Sequence, residues 1–276
     1  RDLRLRQPGQ SPFSDPTTMR NFLEQSFDMY RKLMERTERA FEDMAAQVLT
    51  TGKITLVDDT AETIFVADFK PKSTHFTTAA VPWSTIATSD PIADLTPLCQ
   101  VIRDDGLTDR LTSLWDTDSF EFAKKSTLFQ AALSKEVNID TGSIVRLRQN
   151  ARGEQYRGSV DLGNFSLDIW TYNGRRVGPD GSTKGPYIPR KKVIVFDPNA
   201  RYDAYFGSGD QRLVPIDPRL SRFVPTILRS SKSGVQMTPN AWVDDQGTAF
   251  WGAASTRLLA VPVHLDAIGC LDTDLA

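Results

Sequence analysis

The chain has 276 residues, of which 39% are hydrophobic and 25% charged, and its 33 basic and 35 acidic residues give a formal net charge of −2. This composition is typical of a folded globular protein with a sizeable core. The balanced charge excludes a protein whose main task is to grip phosphate backbones, so any binding to duplex DNA should be weak, unspecific in sequence and largely lost at physiological salt. We expect neither a transmembrane helix nor a signal peptide, and hence synthesis in a cytoplasm.

The first predicted element is a long helix over residues 16–51. Asp15-Pro16 is a typical helix start, because aspartate caps free N–H groups and proline suits the first helical position. No glycine or proline then follows until Gly52. Residues that recur at steps of four and three form one stripe of a helix roughly 50 Å long, which should pack on strands of the same subunit. The stripe consists of Leu23, Phe27, Tyr30, Met34, Thr37, Phe41, Met44 and Val48.

Charged residues of both signs, among them Arg36 and Arg39, lie between the positions of the stripe. Opposite charges at spacings of three and four support a helix that is exposed on one side. Two interpretations stay open for this flank. It is either a solvated surface or a contact with neighbouring subunits, since a helix this long seldom has a single small domain to lie on.

Two strands are predicted directly after the helix, at 53–57 and 63–69, joined by the polar turn Asp58-Asp59-Thr60. A second helix is predicted from Pro91, with its apolar face at Ile92, Leu95, Leu98 and Ile102 and its stop at Gly106. Pro97 interrupts this second pattern. Either the helix kinks there, or Thr96 caps a shorter helix over 97–105.

The rest of the chain is predicted to consist mainly of strands. A short buried strand at 107–115 and helical segments at 118–135 come first, and the apolar period then changes to two. Further strands are predicted at 158–162, 165–172, 192–196 and 257–271. The cysteines, Cys99 and Cys270, have apolar neighbours and are predicted to be buried free thiols rather than a disulfide.

The sequence offers few residues for catalysis. It has two histidines, and His264 lies between Val263 and Leu265 in the last predicted strand, where a structural role is expected. No metal, nucleophile or phosphate-loop motif is present in the sequence. Paired carboxylates occur at Asp58-Asp59, Asp104-Asp105 and Asp244-Asp245, in predicted turns or helix ends. We expect no catalytic, cofactor-binding or metal-binding residue, and the enzyme alternative is a hydrolase that uses one acidic pair.

Basic clusters occur at three places in the chain. They are Arg1 with Arg4 and Arg6, Arg175-Arg176, and Arg190-Lys191-Lys192. Proteins that bind single strands interleave such charges with exposed aromatic residues, and these clusters lack that pattern. They are therefore predicted to be solvated loop charges or subunit contacts.

The order of the segments resembles the lambda-type major capsid protein family (family E), which has the Hong Kong 97-type capsid fold of tailed-phage heads. The resemblance covers nearly the whole chain and depends on order rather than on one motif. Its first half consists of Val48-Leu49-Thr50-Thr51-Gly52-Lys53, Val81-Pro82-Trp83-Ser84, Asp90-Pro91-Ile92-Ala93-Asp94-Leu95 and Ile102-Arg103-Asp104-Asp105-Gly106. Its second half consists of Tyr156-Arg157-Gly158, 167–172, Gly178-Pro179-Asp180-Gly181, Gly185-Pro186-Tyr187-Ile188-Pro189, 258–263 and Asp266-Ala267.

The resemblance implies an α+β fold with a long spine helix, a peripheral domain sheet and an axial domain of mixed helices and strands. Residues 1–15 would be the returning stem of an extended loop, 16–85 the peripheral domain with the spine helix, 86–200 the axial domain, and 201–276 the return to the peripheral domain. Pro97 departs from the family, in which the corresponding helix usually runs straight.

The function implied is that of a shell subunit without enzymatic activity or cofactor. It would form pentamers and hexamers of an icosahedral head that encloses double-stranded DNA, be assembled in the host cytoplasm and reside in the virion capsid. The partners implied are further copies of the chain, scaffold, portal and decoration proteins, and packaged DNA, with no membrane. Encapsulin compartments share the architecture, so a nanocompartment shell is the alternative.

Overall fold

The computed structural model describes residues 16–57, 62–106, 111–134, 153–163, 165–177, 183–207, 228–229, 236–243 and 250–274. The chain is a mixed α+β protein with two compact units. One unit comprises Arg1–Phe41 and Ala204–Leu259, and the other comprises Glu42–Asp203 and Ala260–Ala276. None of the helices in these ranges contains an apolar stretch that could span a lipid bilayer.

The helices are α1 (Pro16–Thr51), α2 (Pro91–Gly106), α3 (Thr117–Ala123) and α4 (Thr127–Ala132). The first strands are β1 (Lys53–Val57), β2 (Thr63–Asp68), β3 (Phe76–Thr78), β4 (Leu111–Trp115), β5 (Leu133–Ser134), β6 (Glu154–Asp161), β7 (Ser166–Tyr172) and β8 (Arg175–Val177). The later strands are β9 (Thr183–Pro186), β10 (Lys192–Phe196), β11 (Tyr202–Gly207), β12 (Leu228–Arg229), β13 (Gln236–Val243), β14 (Phe250–Ser255), β15 (Arg257–Pro262) and β16 (Ile268–Asp272).

Helix α1 has the bounds that the sequence predicted, and its stripe is buried towards the C-terminal end. Tyr30, Met44 and Val48 are buried, whereas Met34 is half-buried. Phe27 is 58% exposed, so the prediction that the whole stripe packs on the subunit is wrong there. The periodicity fixes the direction in which a side chain points, but it does not determine whether another element covers that side chain.

Gly52 ends α1 in the left-handed conformation, with φ +67°, and its N–H donates to the Val48 carbonyl at 2.8 Å. A Cβ at this position would lie 2.2 Å from Cγ of Pro71. Gly52→Ala should therefore lower the free energy of unfolding by about 2–4 kcal/mol in a denaturant titration. The matched control is Gly163→Ala, because Gly163 has φ +86° but no atom within 4 Å of the added Cβ. Equal losses for the two variants would show that the contact with Pro71 has no effect.

The larger unit is built on a seven-stranded sheet with the order β3-β16-β10-β4-β7-β6-β5. The pairs β16–β3 and β4–β7 are parallel, and the other pairs are antiparallel. The predicted strand at 192–196 has the bounds of β10, while the strand predicted at 158–162 begins earlier, as β6. The predicted helical segments at 118–135 form α3 and α4 as far as Ala132, but the prediction is wrong at Leu133–Ser134, which form the strand β5.

Helix α2 packs four fully or almost fully buried side chains into the core. These are Leu95, Leu98, Cys99 and Ile102. The helix runs through Pro97 to Gly106, so the alternative of a shorter helix capped by Thr96 is wrong. Asp90 caps the helix instead, since its Oδ1 accepts from the amides of Ile92 and Ala93 at 3.0 and 3.2 Å. Pro97 lies on the exposed face, where its ring does not displace core side chains.

Four aromatic side chains form the centre of the same core. Trp83 and Trp115 are completely buried with ring centroids 5.4 Å apart, and Phe120 and Phe129 contact Trp115. The buried indole N–H of Trp83 donates to Asp94 Oδ2 at 2.9 Å, which satisfies its polar atom. This bond fixes the loop before α2 to the helix.

The strand predicted at 257–271 is broken into β15 and β16, so that prediction is wrong in its continuity. A 3-10 turn at Leu265–Ala267 separates the two strands. They belong to different sheets, since β15 pairs with β11 whereas β16 pairs with β10 and β3. His264 lies exposed at the break rather than inside a strand.

Candidate functional site

The acidic pair at Asp104 and Asp105 does not form one site. Asp104 pairs with Arg103 at 3.0 Å and is 56% exposed, whereas Asp105 turns to His75 and Lys72. The two carboxylates thus have separate partners. The other pairs, Asp58-Asp59 and Asp244-Asp245, lie outside the described residues. Within the described ranges, no group of three or more acidic, histidine or cysteine residues is placed to hold a metal ion.

Asp105 belongs to a polar cluster around a buried histidine. His75 is 1% exposed, with Nδ1 2.8 Å from the Ile268 carbonyl oxygen and Nε2 3.0 Å from Asp105 Oδ2. Both neighbours are acceptors, so both hydrogen bonds form together only when both ring nitrogens carry a proton. Lys72 Nζ bridges Asp105 at 3.1 Å and Asp266 at 3.3 Å. The cluster ties the segment before β3 to the end of α2 and to the turn before β16.

The His75 hydrogen bond, and after it the Lys72 hydrogen bond, lowers the pKa of Asp105 from its ordinary value. A carboxyl whose pKa is lowered by folding adds stability above its ordinary pKa and loses it as the pH falls through the lowered value. Asp105→Asn should therefore reduce the Tm at pH 7, and the difference from wild type should shrink below about pH 4. Asp104→Asn is the control and should leave the Tm unchanged at every pH. A constant difference for Asp105→Asn across the titration would contradict the ionic origin of the effect.

A second buried carboxylate, Asp116, joins α3 to the start of β10. Its Oδ1 accepts from the Ser119 amide at 2.9 Å, and its Oδ2 accepts from the Ser119 hydroxyl at 3.0 Å. The amides of Lys191 and Lys192 also donate to Oδ2, the latter at 3.2 Å. The Ser119 hydroxyl continues the network to Thr273 at 3.0 Å. Asp116 is thus occupied by backbone and hydroxyl donors, which is a structural role.

The basic cluster at 190–192 faces acidic side chains. Arg190 lies 3.7 Å from Asp118, Lys191 lies 2.7 Å from Asp274, and Lys192 lies 3.1 Å from Asp272. These carboxylates neutralise the cluster, so it offers little net charge to a phosphate backbone. The cluster at Arg1, Arg4 and Arg6 lies outside the described residues.

The basic pair at 175–176 contributes to a polar chain that reaches the first hairpin. Arg176 Nη1 lies 3.1 Å from Asp43 Oδ1, a buried oxygen for which Arg176 is the counter-charge. Asp43 Oδ2 accepts from Gln47 Nε2 at 3.2 Å, and Gln47 Oε1 accepts from the Thr55 amide at 2.7 Å. The C-terminal end of α1 is therefore attached to β1 and to β8.

Both thiols are buried and free, as predicted from the sequence. Burial raises the pKa of Cys99 and of Cys270 to about 12. A thiol of such a pKa is almost entirely protonated at neutral pH and is a poor nucleophile. The cysteines therefore fill the core and are not candidates for chemistry.

The described surface has two features that suit contact with another molecule. The hairpin of β1 and β2 exposes Val57, Ile64, Phe65 and Val66. The flank of α1 exposes Arg36 and Arg39 among charges of both signs. Among the residues that the structure describes, the candidate functional site is therefore an extended surface.

Comparison with known proteins gives a likeness of fold. No protein-family model matches the chain, and no curated protein matches it in sequence. Among solved structures, one described as the "putative capsid protein of prophage (E.coli CFT073)" aligns with a TM-score of 0.61 and 15% identity, over 97% of this chain and 72% of the other. A phage-related protein from Bordetella bronchiseptica RB50 aligns over 90% of this chain and 66% of the other, with 13% identity and a TM-score of 0.46. The first of these likenesses shows that the chain shares its fold, almost from end to end, with the prophage protein.

Proposed function

We propose that this chain is the major capsid protein of a tailed bacteriophage, with a Hong Kong 97-type fold of the lambda type. The observation that carries the proposal is the likeness of fold to the prophage protein over 97% of the chain. A match of that extent includes the long helix and both compact units, not one common motif. The order of the sequence segments supports the same conclusion independently of the fold.

A structural role also agrees with the polar contacts of the described residues. His75, Asp105 and Asp116 are each engaged with backbone groups or with neighbouring charges that hold elements together. Each contact stabilises the subunit, as a shell protein requires. The proposed function therefore needs no catalytic residue, metal or cofactor.

In the proposed shell, copies of the chain form pentamers and hexamers that close into an icosahedral head around double-stranded DNA. Residues 16–85 would serve as the peripheral domain, 86–200 as the axial domain and 201–276 as the return to the peripheral domain, after a stem at 1–15. Scaffold, portal and decoration proteins would be further partners. Assembly would take place in the host cytoplasm, and the mature protein would reside in the virion capsid.

Negative-stain electron microscopy and sedimentation velocity of the purified full chain test this proposal. We expect closed particles of regular diameter that bind duplex DNA only weakly in a gel-shift titration at physiological salt. Regular particles that enclose a protein cargo would indicate a nanocompartment shell instead. A protein that stays monomeric over the whole concentration range would overturn the proposal, and hydrolysis of a substrate by that monomer would favour the enzyme alternative.

The charged flank of α1 gives a prediction about assembly. Reversing Arg36 and Arg39 together to Glu should leave circular dichroism and Tm nearly unchanged, because exposed charges contribute little to folding. The yield of closed particles should nevertheless fall in sedimentation, since closed shells repeat one interface many times. The double replacement by Lys keeps the charge and serves as the control. Wild-type yield of the Glu variant at low salt would show that this flank is only solvated.

A further inference from the structure

We propose that the outer face of the β1–β2 hairpin, defined by Lys53, Thr55, Ile64, Val66 and Asp68, binds the same face of a second copy of this chain. The inference rests on the proposed function, because it assumes that copies of the chain associate. It goes further because it assigns one contact between copies to a particular surface and relates the two copies by a two-fold axis.

The hairpin carries an unusual concentration of exposed apolar side chains. Ile64 is 69% exposed, Val57 55%, Val66 52% and Phe65 46%. Four of the ten large hydrophobic side chains that are exposed among the described residues thus lie between positions 57 and 66. Val57, Ile64 and Val66 share one face of the hairpin, whereas Phe65 lies on the other. Single exposed apolar residues are ordinary, but a group of them on one face marks an interaction surface.

The register divides the two faces of the hairpin. Ile54 is opposite Ala67, Thr55 is opposite Val66, and Lys53 is opposite Asp68. Opposite residues share a face and neighbours alternate, so Ile54 and Ala67 point to one side while the outer face points to the other. Ile54 is completely buried, so the inner face is covered by the subunit at that end. The sheet has two strands, and such a sheet is marginal in water unless something packs against it.

The base of the hairpin is held firmly by its own subunit. The Thr55 amide donates to Gln47, and the Phe69 amide donates to the Gly52 carbonyl at 3.1 Å. Lys53 Nζ lies 3.1 Å from Asp68 Oδ2 across the strands. The outer face is therefore presented in a fixed geometry, which lowers the entropic cost of binding.

The charges of the outer face are complementary to themselves. Lys53 on β1 and Asp68 on β2 stand side by side at the same end of the hairpin. A two-fold axis parallel to the strands, between two stacked hairpins, places β1 of one copy over β2 of the other. Lys53 then faces Asp68 of the second copy, Thr55 faces Val66, and the apolar side chains meet between sheets about 10 Å apart. The occupant that fits this arrangement is a second hairpin.

Two single charge reversals test this pairing in the full-length protein at low salt. In the Lys53→Glu variant, the new Glu of each copy would face Asp68 of the other copy. In the Asp68→Lys variant, the new Lys of each copy would face Lys53 of the other copy. Juxtaposed like charges are strongly unfavourable, so each variant alone should lose at least about tenfold in the yield of closed particles. In an equimolar mixture, a Lys53→Glu copy can pair with an Asp68→Lys copy. Its Glu at position 53 then faces the Lys at position 68 of the other copy, and its Asp68 faces the native Lys53 of the other copy. The mixture should therefore recover assembly.

The apolar part of the surface is tested by Ile64→Ser with Val66→Ser. Both side chains are exposed in the subunit, so the monomer should melt as wild type does while particle yield falls about tenfold or more. The matched control is Leu128→Ser, because Leu128 is 58% exposed on α4 and lies outside the hairpin. We expect wild-type yield for the control.

The outcomes separate this inference from the proposed function. Recovery in the mixture supports two-fold pairing of hairpins. Each reversal also breaks the Lys53–Asp68 pair within the subunit, so the Tm of each variant monomer is measured alongside. Loss of assembly by monomers that melt as wild type does, without recovery in the mixture, would show that the hairpin meets a different surface. Wild-type yield in all variants would leave a different protein as its occupant. Either result overturns the inference, while wild-type particles uphold the capsid proposal. A wild-type protein that never assembles would overturn both.

Discussion

Replacing Val48 with Asp should unfold most of the protein. Val48 is 3% exposed on the part of α1 that is covered by the fold. An aspartate there would be buried without a counter-charge, at a cost of about 3–5 kcal/mol, which is a large share of the stability of a typical domain. Circular dichroism at 25 °C and a denaturant titration would measure the loss. A variant that melts like wild type would show that this end of α1 is not part of the core.

Substitution by Asp at two further positions on α1 should cause smaller losses of folding stability. Met34 belongs to the same predicted stripe, and full burial of the stripe would make Met34→Asp as costly as Val48→Asp. Met34 is only half-buried, so its replacement should cost clearly less than that of Val48. Arg39→Asp changes an exposed position and should have almost no effect on folding. The expected order of losses is therefore Val48, Met34 and Arg39.

Asp116→Asn should be the most damaging substitution that preserves side-chain shape. The carboxylate accepts four hydrogen bonds from Ser119, Lys191 and Lys192 while 5% exposed. An amide keeps one acceptor oxygen, and its NH₂ group would face the backbone donors that Oδ2 now serves. Bonds to a buried carboxylate are strong and unpaired donors are costly, so the free energy of unfolding should fall by about 3–5 kcal/mol.

The control for Asp116 is an aspartate with a similar local bond at the surface. Asp161 Oδ1 accepts from the Gly163 amide at 2.8 Å in an exposed turn. Asparagine is well tolerated in such turns, so Asp161→Asn should change stability by less than about 1 kcal/mol. Comparable losses in the two variants would mean that the buried network around Asp116 contributes nothing special.

Those parts of the fold that depend on neighbours in sequence could be predicted. Helix α1 follows from a stretch without glycine or proline that ends at Gly52, and α2 follows from the Asp90 cap and the Gly106 stop. The strand β10 follows from its apolar run between turn residues. In each case, local chain stiffness, capping and periodicity determine the element.

Those parts that depend on distant partners could not be predicted. His75 meets Asp105 and the Ile268 carbonyl across 30 and 193 positions of the sequence, and no local pattern announces such contacts. The break between β15 and β16 depends on which sheets the two strands join, although both read as one apolar run. The exposure of Phe27 depends on what lies opposite the helix. The hairpin surface had a signal in the sequence, namely a run of apolar residues on both faces of β2. Only the register of the two strands shows which of these residues share a face with residues of β1.

The position of β16 in the main sheet has a consequence for the order of events during synthesis. Residues 268–272 supply the strand that lies between β3, from residues 76–78, and β10, from residues 192–196. While the chain is being synthesised, β3 and β10 lack their common neighbour until residues 268–272 have been translated. Because pairing over such a long separation is slow, the core is completed late, after the whole sheet has been released. A chain truncated before residue 268 lacks the strand that joins β3 to β10, so it cannot complete the core of the main sheet.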